Sequence, residues 1–114
     1  MSMLTLYGIK NCDTVKKARR WLEDHGVEYQ FHDFRQDGLD KKLLSSWVES
    51  LGWEVVVNKR STTWRNLSDD DKDITSNTQA VKLLAANPTL IKRPVTQSSK
   101  HLLVGFKEAE YKKL

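Results

Sequence analysis

The single cysteine, Cys12, is the residue whose type and position in this sequence could do chemistry. It follows a short apolar segment, residues 4–7, and a turn that Gly8 opens. Apolar residues then recur with the spacing of one helix face, at Val15, Ala18 and Leu22. A thiol at a helix N-terminus lies beside backbone N–H groups without helical partners, which favour the thiolate. The pattern therefore predicts a nucleophilic cysteine; the alternative is an inert, buried thiol that fills the helix end as a small apolar side chain.

The flanking sequence supplies the elements that would hold this cysteine. Asp13 and Thr14 suit a first helical turn, where acidic and hydroxyl side chains are favoured. Gly26 predicts that the helix ends near residue 25. Residues 27–34 alternate apolar and polar side chains, which predicts a second strand. A strand, a helix and a strand in this order form a βαβ unit, so the two strands are expected to be parallel.

Residues from about 40 to 87 are predicted to be mainly helical. A helix over residues 41–51 is indicated by its apolar stripe, with Asp40 as its cap. Two further helices are predicted to begin after Ser68 and Ser76. This segment is expected to be a helical insertion into the rest of the fold.

The last part of the chain returns to strands. Residues 95–104 predict a β-hairpin and residues 107–113 a short final helix. Residues 53–60 are ambiguous between strand and helix. Their valines favour a strand, but the run of β-branched residues is short. The order of elements predicts one α/β domain over residues 1–114, a mixed four-stranded sheet flanked by helices.

Composition excludes several classes of function. The chain has 114 residues, 39% of them hydrophobic, and a net charge of +4. No apolar run approaches the roughly 20 residues of a membrane span, and no signal peptide is visible, so we expect a cytoplasmic protein without a membrane partner. The lysines are spread among acids, which argues against nucleic-acid binding.

The cysteine and histidine content limits the redox and metal chemistry. One cysteine cannot form an internal disulfide, and the three histidines lack metal-ligand spacing. We therefore expect no metal and no bound cofactor. Any redox cycle must take its second thiol from a partner or a small molecule.

Four motifs follow one another along nearly the whole chain: LTLYGIKNCDT (4–14), NKRSTTW (58–64), IKRPV (91–95) and LVGF (103–106). In this order they resemble the glutaredoxin-dependent arsenate reductase (ArsC) family. That family has a thioredoxin fold and includes the Spx-type regulators and the YffB-like reductases. The YffB-like branch is the most similar, through residues 8–10 and 62–65.

The resemblance implies that Cys12 is the nucleophile and that Arg93 contacts the anion, with Pro94 as the family's cis-proline beside the thiol. A guanidinium can stabilise a thiolate and hold an oxyanion through two hydrogen bonds. The alternative is a surface arginine paired with an acid. From spacing alone Pro94 would be trans, because only about 5–6% of X-Pro bonds are cis.

Two further cations of the family are less well matched. Arg60 lies where arsenate reductases carry a second arginine, but the register also allows Asn58 at that position. The third arginine has no clear counterpart, and Lys100 is the nearest cation. These departures argue against arsenate as the substrate.

Three residues flank the thiol and are predicted to bind glutathione: Lys10, Asn11 and Thr14. Their alternative roles are loop solvation and helix capping.

The position three residues after Cys12 is Val15, so the second thiol of a C-x-x-C site is absent and a monothiol mechanism is implied. In that mechanism the Cys12 thiolate attacks a disulfide or an arsenate, and glutathione resolves the intermediate. The leading hypothesis is a glutathione-dependent thiol reductase. The alternatives are a true arsenate reductase that uses glutathione and glutaredoxin, a non-enzymatic Spx-like regulator that binds RNA polymerase, and a domain that keeps the fold without its chemistry.

Overall fold

The computed structural model describes residues 4–114, which group into two compact units. The first unit holds residues 4–38 and 93–114, and the second holds residues 39–92. The assignment of the chain to a single domain remains a prediction.

The first unit carries a four-stranded sheet with the order β2-β1-β3-β4. Its strands are β1 (Leu4–Gly8), β2 (Tyr29–Asp33), β3 (Val95–Gln97) and β4 (Leu102–Val104). β1 runs parallel to β2 and antiparallel to β3, and β3 and β4 form an antiparallel hairpin. The sheet is therefore mixed, as predicted, and the βαβ unit is confirmed.

Helix α1 (Asp13–Asp24) and the C-terminal helix (Glu108–Tyr111) supply the apolar core of this unit. The residues that α1 buries lie on one face, as the sequence spacing predicted, and they are Val15, Ala18, Trp21 and Leu22. They pack with Leu4 and Leu6 of β1 and with Tyr111 of the C-terminal helix. This packing fixes α1, the helix that follows Cys12, against β1.

The second unit is helical. Its helices are α2 (Lys41–Leu51), α3 (Trp53–Val56), α4 (Thr62–Arg65), α5 (Asp69–Lys72) and α6 (Asn77–Ala86), followed by a 3-10 turn, Pro88–Leu90. The Asp40 side chain caps α2 by accepting a hydrogen bond from the Lys42 N–H, at 2.9 Å. The sequence left residues 53–60 undecided between strand and helix, and the first four of them form α3. Val57, which follows α3, makes an isolated β-bridge to Ile91.

Several boundaries differ from the sequence prediction, those of β2 and of the final helix most. β2 starts at Tyr29 rather than at Val27, because the Val27 N–H donates to the Leu22 carbonyl at 2.9 Å and so belongs to the turn that ends α1. Gly26 lies in that turn with a φ of 66°, the left-handed conformation expected at a helix end. The final helix covers Glu108–Tyr111, shorter than the predicted 107–113. Within residues 4–114, no helix is long and apolar enough to cross a membrane.

Candidate active site

Cys12 is the N-cap residue of α1, as the sequence predicted. Its backbone is extended, with φ −96° and ψ 123°, and its side chain makes no capping hydrogen bond. The Cys12 N–H donates to the Ile9 carbonyl at 3.2 Å, which closes a tight turn between β1 and α1. The half-buried thiol also packs against the apolar core of the first unit. Because the side chain caps nothing, the N–H groups of the first helical turn remain available to a thiolate or a bound anion.

Gly8 permits the close approach of α1 to the end of β1. A Cβ at this position would lie 2.7 Å from Cγ2 of Val15, which is shorter than real Cβ contacts allow. The helix that presents Cys12 can therefore lie this close to the strand only because residue 8 has no side chain.

Arg93 and Pro94 lie at the same end of the sheet as Cys12. Tyr7 of β1 pairs with Val95 of β3, so the residue before Val95 lies at the level where β1 ends and the Cys12 turn begins. The Arg93–Pro94 peptide bond is cis. This agrees with what the family resemblance implied, and the expectation of a trans bond from its frequency alone is wrong here. Pro94 is buried, its carbonyl accepts from the Gly105 N–H at 2.8 Å, and Arg93 is half-buried.

The three residues predicted to bind glutathione are all solvent-exposed: Lys10, Asn11 and Thr14. They lie on the turn and in the first turn of α1, within two residues of Cys12. Their positions suit contact with a ligand bound at the thiol, and their role stays a prediction.

Lys100 does not lie at this end of the sheet. Thr5, near the start of β1, pairs with Gln97, so the turn that follows β3 lies at the amino end of β1. Cys12 follows the other end of that strand, about 15 Å away at the usual rise of about 3.3 Å per residue. Lys100 is thereby excluded as a substitute for the family's third arginine, because the hairpin runs away from the thiol.

Lys100 and His101 instead border a cavity of about 530 Å³, together with Leu4 and Val27. Neither Cys12 nor Arg93 lines it. Across residues 4–114 we find no cluster of three or more His, Cys, Asp or Glu side chains that could hold a metal ion.

Arg60 belongs to the second unit, where it is exposed and precedes α4. Its N–H donates to Oδ1 of Asn58 at 3.1 Å. Participation of Arg60 in the chemistry of Cys12 stays a prediction.

Asp33 is a residue that the sequence analysis missed. It ends β2 and is only 4% exposed, yet its carboxylate accepts hydrogen bonds from three backbone N–H groups, those of Lys10, Arg35 and Gln36. Burial would raise the pKa of the Asp33 carboxyl, but these N–H groups and the charge of Lys10 together hold it below its ordinary value. The bonds to Arg35 and Gln36 do have a local signal in the sequence. An aspartate often accepts from the backbone N–H groups two and three residues after it, in an Asx turn. The bond to Lys10 has no local signal, because β1 and β2 must pair before it can form.

Comparison with known proteins agrees with the resemblance. The model of the ArsC family matches residues 7–114. An uncharacterised protein of Haemophilus influenzae is 55% identical over 109 residues, which is 96% of each chain. The global transcriptional regulator Spx of Streptococcus mutans is 34% identical over 112 residues, 95% of this chain and 80% of the regulator. A solved YffB protein superposes with a TM-score of 0.93 at 43% identity and covers 97% of both chains. The chain therefore belongs to the ArsC family, a family of thiol-reductase-like proteins, and has its thioredoxin-like mixed sheet.

Proposed function

We propose that this protein is a glutathione-dependent thiol reductase that works with one thiol, Cys12. The observation that carries the proposal is the position of Cys12 at an N-cap where its side chain makes no capping bond. The N–H groups of that helical turn are donors from which a thiolate on Cys12 can accept hydrogen bonds. The position of Arg93 and Pro94 at the same end of the sheet as Cys12 supports the same function.

The proposed reaction is a sequence of thiol–disulfide exchanges in which glutathione supplies the electrons. The Cys12 thiolate attacks one sulfur of a disulfide substrate, so that a Cys12–substrate disulfide forms and the other substrate sulfur leaves as a thiolate. A glutathione thiolate then attacks Sγ of Cys12 and displaces the remaining substrate thiolate. A second glutathione attacks the glutathione sulfur, which restores the Cys12 thiolate and forms glutathione disulfide. Two glutathione thiols are oxidised, and the protons they lose are taken up by the two substrate thiolates.

Arg93 is proposed to stabilise the negative charge that passes between the sulfur atoms. A guanidinium is always protonated and can also hold a carboxylate of glutathione through two hydrogen bonds. The exposed side chains of Lys10, Asn11 and Thr14 are proposed to bind the remaining polar groups of glutathione. A contribution of Arg60 belongs to the same proposal. We place the reaction in the cytoplasm, where glutathione keeps thiols reduced.

Two other functions have specific support. Membership in the ArsC family supports a true arsenate reductase that uses glutathione and glutaredoxin. The position of Lys100 at the far end of the sheet counts against it, because the site then lacks the third cation of such enzymes. The 34% identity to an Spx regulator supports a non-enzymatic protein that binds RNA polymerase.

The test is turnover of a small disulfide, hydroxyethyl disulfide, by the purified protein with reduced glutathione. We expect Cys12→Ser to reduce the rate to the uncatalysed background, because the serine hydroxyl does not replace the thiolate. We expect Arg93→Ala to lower kcat/KM about ten- to a hundredfold, the effect of losing a hydrogen bond to a charged group of about 1.5–3 kcal/mol. The kcat/KM of Arg93→Lys should lie between those of the parent and Arg93→Ala, since lysine keeps the charge but lacks the planar guanidinium that makes two hydrogen bonds.

Arg20→Ala is the matched control, because Arg20 is an exposed arginine on α1 and is assigned no role in the site. It should leave kcat/KM unchanged. Arsenate turnover with glutaredoxin in the absence of disulfide turnover would assign the arsenate reductase function instead. Capture of RNA polymerase subunits by a protein inactive in both assays would assign the regulator.

A further inference from the structure

The Asp33 carboxylate links the end of β2 to the turn that precedes Cys12. Its two oxygen atoms have separate partners. Oδ1 accepts from the N–H of Arg35 at 2.7 Å and of Gln36 at 3.3 Å, both in the turn after β2. Oδ2 accepts from the N–H of Lys10 at 3.4 Å, two residues before the thiol.

The turn after β2 has a second aspartate with a different set of contacts. Oδ2 of Asp37 accepts from the N–H of Asp33 at 3.0 Å, and the N–H of Asp37 donates to the Asp33 carbonyl at 2.8 Å. These bonds fold the turn back onto the end of β2 and hold Asp33 in place. Of the two aspartates, the Asp33 side chain is the one that reaches the Cys12 turn.

We propose that Asp33 is a positioning residue for Cys12, and that its Oδ2 atom fixes the backbone from which the nucleophile is presented. This inference rests on the proposed function, in which Cys12 is the nucleophile. The turn between β1 and α1 is closed by the 3.2 Å bond from the Cys12 N–H to the Ile9 carbonyl, and at its start the Gly8 carbonyl accepts from the Phe34 N–H at 2.9 Å. The bond from Lys10 to Asp33 adds a support from a neighbouring strand to the exposed side of that turn.

The chemical nature of Asp33 suits this role. A buried carboxylate that accepts three backbone hydrogen bonds is held in one orientation, because each acceptor position has a fixed donor. Since the bond to Lys10 is the longest of the three, it is the bond that a small change at Asp33 should break first.

Asp33→Asn removes this one bond with little change in shape. The amide oxygen can keep the hydrogen bonds to Arg35 and Gln36, while the NH2 group takes the place of Oδ2. That group is a donor and cannot accept from the Lys10 N–H. Asp37→Asn is the matched control, because it makes the same chemical change in the same turn while its amide oxygen can keep the one bond that Asp37 Oδ2 accepts, from the Asp33 N–H.

The first measurement is amide hydrogen exchange of Lys10, observed by NMR. We expect exchange about tenfold faster in Asp33→Asn than in the parent, the size expected for one hydrogen bond of about 1.4 kcal/mol, and unchanged in Asp37→Asn. The second measurement is the rate at which iodoacetamide alkylates Cys12 at pH 7. We expect a slower rate in Asp33→Asn, because the thiol spends less time beside the N–H groups of α1.

Neither measurement requires turnover of glutathione, so the inference can fail or succeed independently of the proposed reductase activity. Unchanged exchange of Lys10 in Asp33→Asn would overturn the inference. An equal loss of alkylation rate in the Asp37→Asn control would also overturn it, since the effect would then belong to the whole turn.

If Asp33→Asn does not fold, the wild-type protein allows the same test. The amide proton resonance of Lys10 should shift together with those of Arg35 and Gln36 as Asp33 titrates, with a midpoint below the ordinary value of 3.8. The charged residues around the carboxylate are Lys10, Arg35 and Asp37. The Asp37→Asn variant removes the other carboxylate of the turn, so a shift that persists in this variant belongs to Asp33. A Lys10 resonance that stays in place while the other two shift would refute the link.

Discussion

The setting of Cys12 differs in one respect from that of four other N-cap residues. Asp40, Ser61, Ser68 and Ser76 each accept a hydrogen bond from a backbone N–H of the helix that they precede. Cys12 makes no such bond, although its backbone has the same extended conformation. An oxygen-bearing cap would stabilise α1 by about 1 kcal/mol but would occupy a donor that a thiolate or an anion could use. The cysteine thus leaves the helix less well capped and the site open.

Gly8 gives a prediction at the scale of one residue. In Gly8→Ala the new methyl group meets Cγ2 of Val15, and a β-branched side chain in a helix has little freedom to turn away. We expect a loss of about 1–3 kcal/mol in the free energy of unfolding, the usual cost of an overpacked core. Urea denaturation followed by circular dichroism measures it.

The double variant Gly8→Ala, Val15→Ala is the control for the Gly8 prediction. It removes the clash, so Gly8→Ala should lower the free energy of unfolding clearly less when Val15 is already alanine than when Val15 is present. Equal costs in the two backgrounds would mean that the contact with Val15 is not the cause.

At the scale of elements, the bounds of a helix or strand follow most closely from the sequence where a capping or turn residue marks both of its ends. Helix α2 begins and ends where expected, since Asp40 caps it and Gly52, with a φ of 87°, ends it. After Gly52 the valines favour a strand, but their run is short, and Trp53–Val56 form the helix α3. The start of β2 was placed two residues early, because a helix-ending bond to Leu22 takes up the N–H of Val27.

The parts of the candidate site that follow from neighbouring residues in the sequence could be predicted, and those that depend on strand pairing could not. Cys12 at the N-terminus of α1 follows from spacing along the chain, and Pro94 was assigned through the family motif. Asp33 and the distance of Lys100 from the thiol depend on which strands pair and in which direction. Such long-range contacts leave no pattern in a single sequence.

Helix α2 allows a prediction about capping. Asp40→Ala removes the hydrogen bond to the Lys42 N–H without touching the buried face of the helix, so we expect a loss of about 1 kcal/mol in the free energy of unfolding. Asp40→Asn should stay close to the parent, because asparagine caps as well as aspartate. Thermal and urea denaturation of both variants measure the effect. An equal loss in both would point to the charge of Asp40 rather than to its hydrogen bond.

At the scale of the whole molecule, a buried polar contact joins the C-terminal helix to the sheet. Oγ1 of Thr96 in β3 and the hydroxyl oxygen of Tyr111 lie 2.6 Å apart, and both residues are buried. The Tyr111 ring also packs edge-on against Trp21 and Phe106. Residues at opposite ends of the sequence, in α1 and in the last helix, therefore share one core.

The burial of Tyr111 makes the stability of the protein sensitive to alkaline pH. Burial, with a smaller effect of Glu110, raises the pKa of Tyr111 from 10.0 to about 12, although the hydrogen bond to Thr96 acts in the opposite direction. Because the folded state holds the phenolic proton more tightly than the unfolded state, the stabilisation is complete below pH 10 and is lost as the pH rises towards 12. The slope is about 1.4 kcal/mol per pH unit in that window.

Tyr111→Phe tests this assignment. The variant is expected to be less stable than the parent at pH 8 by about 1–3 kcal/mol, because the Thr96 hydroxyl loses its buried partner. Adding Thr96→Val should recover part of that loss, since no unpaired hydroxyl remains. Between pH 10 and 12 the parent should lose stability faster than Tyr111→Phe, and urea denaturation at a series of pH values measures both slopes. Other groups titrate in this range in both proteins, so the difference between the slopes isolates Tyr111. Parallel curves for the two proteins would mean that the Tyr111 proton is held no more tightly in the folded state than in the unfolded chain.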